Sequence, residues 1–381
     1  MANSFTQSPR ERVLDALAHR QPSRVPFSWG FGPTGEMARE LEQRLGQQGV
    51  SWPALRDATE DVLWVGPDYV GAELPPDTDL WGIRRASVAY GGGSYDEIVH
   101  YPLAGVETVD EIEAYAWPST DVYDYESLRR NIVTANPDSR RATRLAGGNP
   151  FEIYCWMTGL EESLTNILIA PEVVEAALGR ISDFFDERLR YCFKSAASLI
   201  DMVFLADDLG GQSGLLLARP QYCALIQPSH KRLTATIRES APHATVEFHT
   251  DGAVFDILPD LIDAGVQVLE AVQTDAAGMD PVALKATYGD RLGFQGGISV
   301  QQLLPNGTAD SVADECRRLV SVFGSGGGYI AAPSHAIQYG TPVENILAML
   351  RGVLGDEDYE AALALARAAY EGTCGSDCTR H

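Results

Sequence analysis

From Arg144 onward the chain repeats one pattern: a short apolar strand, then an amphipathic helix, with little between them. The strands read as Leu145 to Gly147, Met202 to Ala206, Val246 to His249, Val268 to Val272, Gly293 to Gln295 and Tyr329 to Ala332. The intervening helices include Pro171 to Lys194, Arg219 to Glu239, Phe255 to Ala264, Pro281 to Tyr288 and Ser311 to Phe323. Consecutive strands joined by helices run parallel, because a parallel neighbour needs a crossover. Val25 to Trp29 and Val62 to Val65 bring the strands to eight. Eight such units predict an α/β fold of the (β/α)8 TIM-barrel kind rather than an open doubly wound sheet. No GxGxxG follows the first strand, which weighs against a dinucleotide fold.

The 381 residues suit a single barrel domain with additions. Residues 1–24 read as a helical extension, since Ser8-Pro9 is a helix cap and Val13, Leu14 and Leu17 share a face. Residues 61–101 contain strand-like pieces around Gly91-Gly92-Gly93 and read as a hairpin covering one mouth. In the tail, residues 370–381, Cys374, Cys378 and His381 leave a closed zinc site one ligand short. Gly324-Ser325-Gly326-Gly327-Gly328 precedes a strand rather than a helix, so it reads as a turn and not a phosphate cradle.

Charge narrows the partners. Asp and Glu number 53 against 29 Lys and Arg, a formal charge of -24. Such a balance argues against nucleic acid and against an anionic membrane surface. No apolar run reaches a bilayer's width, and Met1-Ala2-Asn3-Ser4-Phe5 has no leader pattern. The six scattered cysteines form no disulfide framework, so a reduced cytoplasm is the expected compartment.

In an α/β barrel the working groups lie just past the strand C-termini. His249 and Asp251 stand two apart in Phe248-His249-Thr250-Asp251-Gly252 and so face one side of an extended chain. His335 follows the last strand. If the fold converges them, His249, Asp251 and His335 suit a divalent ion, with a position open for substrate. Asp207-Asp208 ends another strand before a Gly-rich loop; Asp207 reads as an acid/base group and Asp208 as a substrate contact, the alternative being caps and loop bonds. Glu270 is a further acid/base candidate, as is His335. Gln273 and Gln295 are candidate hydrogen-bonding contacts, and Trp29, Trp156 and Tyr329 a candidate aromatic wall.

Several motifs together resemble one family. They are His249-Thr250-Asp251-Gly252, Gly278-Met279-Asp280-Pro281, Leu284-Lys285 with Tyr288-Gly289, Gly296-Gly297-Ile298, Gly327-Gly328-Tyr329-Ile330, His335, and Thr341-Pro342-Val343-Glu344-Asn345. In this order they resemble the uroporphyrinogen decarboxylase superfamily across about residues 145–350. The resemblance implies a (β/α)8 barrel with an N-terminal extension. Its porphyrin branch uses no cofactor and binds its polyanionic substrate through an Arg- and Gly-rich N-terminal segment. The matching Val25–Gly32 stretch has no arginine past Arg24, and the family's tyrosine falls at Trp156. His335 matches a histidine of those enzymes.

The other branch implied by the resemblance is the cobalamin-dependent methyltransferases, whose zinc sits on a His-x-Cys pair and a later Cys. Those positions fall on His249, Asp251 and His335, so carboxylate and imidazole replace thiolate. That set is harder and suits activation of an oxygen rather than a thiol. The expected function is a metal-dependent, methyltransferase-like enzyme acting on a small oxygenated substrate, an O-methyl compound included. Zinc is the expected metal, and a corrinoid would come from a partner protein. A homodimer is left open. The alternatives are a cofactor-free decarboxylase or lyase using His335 and Asp207, and a non-catalytic binding protein on the same scaffold.

Overall fold

The computed structural model describes residues 7–90 and 93–377. Gly91, Gly92, Cys378 and His381 lie outside the described residues, so the tail's ligand set falls there too. Seven strands form one sheet in chain order: β1 (Val62–Val65), β2 (Ala142–Gly148), β3 (Met202–Ala206), β4 (Thr245–His249), β5 (Val268–Val272), β6 (Gly293–Ile298) and β7 (Tyr329–Pro333). The chain also divides into two compact units, residues 64–139 with 143–269, and residues 1–63 with 140–142 and 270–381. No helix among the described residues is long and apolar enough to cross a membrane.

In the first of these units β2, β3 and β4 run parallel, with Ala146 beside Phe204, Phe204 beside Glu247, and Ala206 beside His249. Neighbours in register share a face and alternate residues take the other. Arg144, Ala146, Phe204, Glu247 and His249 therefore lie on one face. Leu145, Val203, Leu205, Val246 and Phe248, all buried, lie on the other. There the helix Gln227–Ser240 packs, its His230 ring 4.8 Å from Phe248. The helix Pro171–Ala196 buries Val174, Ala177, Leu178, Ile181, Phe185 and Leu189, the three-and-four spacing of an amphipathic stripe. Arg84–Tyr90 and Gly93–His100 pair antiparallel as the expected hairpin.

The expected continuous helix Arg219–Glu239 is interrupted. Arg219–Gln221 leads into a π turn at Tyr222–Ile226 before Gln227–Ser240 resumes. Pro228 explains the break, because it has no N–H to give to the preceding turn.

In the other unit β6 and β7 pair parallel from Phe294 beside Tyr329 to Ile298 beside Pro333. The expected strand Val25–Trp29 is reduced to one bridge, Phe27 beside Ala331. Ser28 N–H donates to Ala331 C=O and Ala331 N–H to Pro26 C=O, each at 2.9 Å. Pro26 offers no donor and Gly30 turns at φ +59°, so the ladder stops there. The glycines 326–328 all have φ near +80° and reverse the chain into β7, as a turn and not a phosphate cradle.

The N-terminal helix Pro9–Leu17 starts on a capping box: Ser8 Oγ accepts from Glu11 N–H and Glu11 accepts from Ser8 N–H at 2.7 Å. Asp61 ties this extension down. Its buried carboxylate takes Arg12 at 2.7 Å, Arg24 at 3.1 Å and the Phe27 N–H at 2.9 Å. Asp61→Asn keeps one acceptor oxygen and loses the charge under two guanidiniums. A loss of about 2 kcal/mol is expected, the scale of a charge-assisted bond, read as a lower urea midpoint.

Candidate metal centre

The C-terminal ends of β3 and β4 are laced together. Asp207 N–H donates to His249 C=O at 3.1 Å, Leu209 N–H to Thr250 Oγ1 at 2.9 Å, and Asp251 N–H to Asp208 Oδ1 at 2.8 Å. Gly252 closes the turn at φ +83°, where a Cβ would sit 2.5 Å from Gly211 O. No side chain fits there.

This lacing gathers Asp208, His249 and Asp251. Their ligand atoms lie within 4.8 Å of one another, the one such group of three among the described residues. His249 Nε2 is 3.7 Å from Asp208 Oδ1 and 3.9 Å from Asp251 Oδ1. Both separations are too long for hydrogen bonds. They are slightly wider than the roughly 3.3 Å edge of a tetrahedron with 2.0 Å metal bonds. His249 is buried and stacks on Phe204 at 5.7 Å and 27°, while Asp208 and Asp251 are partly open. One nitrogen and two carboxylate oxygens thus fit a divalent ion, with an accessible side for substrate. The expected pair His249 and Asp251 comes together. The third member is Asp208, where His335 was expected.

Asp207 is held differently from the acid/base group expected. It is fully buried; one oxygen accepts the Glu152 N–H at 2.8 Å and the other meets His230 Nε2 at 2.7 Å. His230 Nδ1 in turn meets Tyr222 Oη at 3.0 Å. The helix Pro150–Thr158 starts at Asn149, which makes no side-chain cap bond, so Asp207 satisfies its first turn from a neighbouring strand. Burial pushes the Asp207 carboxyl up, while His230 and the helix N–H groups pull it down. Both Asp207 oxygens are thus engaged by His230 and the start of that helix.

Glu152 is the residue that sequence reasoning passed over. Loss of solvent, then the charges of Asp208 and Asp207, push its carboxyl up to about 8. Its signal was present: Gly148-Asn149-Pro150-Phe151-Glu152 follows β2 as Asp207-Asp208 follows β3. One turn further along the same helix, half-buried Trp156 lies under the hairpin's Arg85, whose guanidinium carbon is 5.3 Å from the ring centroid.

The remaining expected residues belong to the other unit. Half-buried His335 rests against Phe31, ring centroids 5.2 Å apart. Glu270 and Gln273 are buried at β5 and just past it, and Gln295 is buried in β6, its side-chain amide without a hydrogen bond among the described residues. Trp29 and Tyr329 are core residues rather than an aromatic wall. Trp29 is enclosed by Phe27 and Trp52, with its indole N–H on Thr59 at 3.0 Å. Tyr329 stacks on Phe323 and donates to Gly296 C=O at 2.9 Å.

Comparison with known proteins bears on the fold and the family. A methyltransferase structure from Methanosarcina mazei superposes with a TM-score of 0.61, covering 91% of this chain and 98% of that one at 16% identity, so the two share a fold. A methylated-thiol–coenzyme M methyltransferase of Methanosarcina mazei is 26% identical over 205 residues, 53% of this chain and half of that protein's length. A uroporphyrinogen decarboxylase of Coxiella burnetii is 23% identical over 269 residues, 67% of this chain and 69% of that protein. Residues 132–353, more than half of the chain, match the profile of the uroporphyrinogen decarboxylase (URO-D) family, and the chain belongs to that family.

Proposed function

We propose that the chain is a metal-dependent, methyltransferase-like enzyme acting on a small oxygenated substrate. The cluster of Asp208, His249 and Asp251 carries this reading. These three hold the ion, and zinc is the metal proposed. A bound ion would act as a Lewis acid on a substrate oxygen. The carboxylate and imidazole donors are harder than thiolates, which favours an oxygen over a sulfur donor, an O-methyl compound included. Asp207 and His230 keep the start of the helix Pro150–Thr158 in place. Glu152, whose carboxyl is pushed up first by loss of solvent, can hand a proton to an oxygen leaving group. The similarity to a methylated-thiol–coenzyme M methyltransferase supports a methyl-transfer role, and a corrinoid protein is the partner proposed for it. Glu270 and His335 stay as candidate acid/base residues, and Gln273 and Gln295 as candidate hydrogen-bonding residues. A reduced cytoplasm remains the proposed compartment.

Elemental analysis tests the reading. Protein purified without chelator is expected to carry about one divalent ion per chain, and dialysis against EDTA to remove both ion and turnover. A protein that turns over at full rate with no stoichiometric metal overturns it. One observation favours a second reading, a cofactor-free decarboxylase. A carboxyl pushed up to about 8 can protonate a carbanion at neutral pH without an ion. That reading expects activity indifferent to EDTA.

A further inference from the structure

The face of β2, β3 and β4 that carries His249 is buried at Arg144, Glu247 and Ala206 but accessible in one patch below the centre. Helix-covered parallel sheets ordinarily fill their second face with bulky branched side chains. Here Ala146 is exposed, Phe204 half-buried, and Trp64 of β1 39% exposed. Trp64 is nonetheless built into place. Arg144 lies over its ring at 4.0 Å, and Phe204 meets it edge-on at 5.0 Å. The Arg144 charge is answered by Glu247 at 3.1 Å, both side chains buried, so the cation is not left for an anionic ligand. Phe204 stands beside Glu247, and His249 follows two residues on, about 7 Å up the strand. Trp64, Phe204 and His249 form a continuous row of rings leading to the carboxylates.

We propose that this face binds an aryl group, so that the substrate is an aromatic compound bearing oxygen, its ring against Trp64 and Phe204 and its oxygen toward Asp208, His249 and Asp251. A flat ring offers the edge-to-face and stacked contacts such a wall rewards. This names the substrate class of the function proposed above. The ring's placement stands on the wall alone, and the oxygen's placement rests on the metal reading.

Titration calorimetry with 4-methoxyphenol, and with 2-methoxyethanol as the ether without a ring, tests it on zinc-loaded and EDTA-treated protein. The aryl ether is expected to bind and the aliphatic ether not. Trp64→Leu should weaken aryl binding about tenfold and Trp64→Phe less than about threefold, the range of an aromatic pair. Phe204→Leu is the second variant, with the same direction, should Trp64→Leu not fold. Equal binding of the two ethers, no binding of 4-methoxyphenol, or indifference to both leucine variants overturns the proposal. Ring binding that survives EDTA keeps this inference, and ring binding by a protein that takes up no zinc keeps it while removing the metal reading.

Discussion

His249→Gln is expected to lose its divalent ion and its turnover together while keeping its fold. His249 offers the one nitrogen among three ligand atoms, and its Nε2 faces both carboxylates. Glutamine roughly preserves the bulk beside Phe204 but offers a weak neutral oxygen or no ligand. Removing an outer-shell partner of a metal typically costs 10–100-fold in affinity or activity, so for a ligand itself about 100-fold is a floor. Asp208→Asn and Asp251→Asn should fall the same way. Asp207→Asn is the contrasting variant: it touches His230 and the Glu152 N–H rather than the ion, so stability should drop more than metal affinity. Acid should act on the wild type in the same sense as His249→Gln. A proton competes with the ion for imidazole and carboxylate, so affinity falls as pH falls. Metal content and kcat/KM measured side by side decide it. A His249→Gln protein with wild-type metal content places the ion elsewhere.

The alternation of strand and helix was legible in the chain because both periodicities are set locally, by which residues can face a helix and which can face water. It placed β3 and β5 at their observed bounds. It read Val25–Trp29 as a strand, yet Pro26 and Gly30 leave that segment one bridge beside β7. It also carried one helix through Pro228, where the structure puts a π turn.

The convergence of His249 and Asp251 was legible, because chemistry and a strand end coincide there. The site was not legible where partnership decides the role. Asp207 and Asp208 are adjacent in sequence, yet one is sealed by His230 and a helix N-terminus while the other faces the centre. Only the third dimension tells them apart. Trp29 and Trp64 show the same limit. Both are tryptophans near a strand, but Trp29 is enclosed by Phe27 and Trp52 and Trp64 is open.

Glu247→Ala is expected to cost about 4 kcal/mol, more than any other single change beneath the site. Arg144 and Glu247 meet at 3.1 Å with side chains only 1% and 0% exposed. Removing the carboxylate strands a guanidinium that water cannot reach, and breaking one partner of a buried pair costs roughly 3–5 kcal/mol. The Trp64 and Phe204 rings near the guanidinium, at 4.0 and 5.7 Å, recover little of this. A cation over an aromatic face is worth about 0.5–2 kcal/mol and is already present in the wild type. The double variant Arg144→Met/Glu247→Leu removes both charges at similar volume and should return most of the stability. It should still bind an aryl ligand more weakly, because the cation over the Trp64 ring is then gone and the Phe204 ring is left to brace it. Urea midpoints of the two single and one double variant give the coupling energy directly. Near-additive losses would mean that the pair is solvated rather than sealed, and that Trp64 is held by something else.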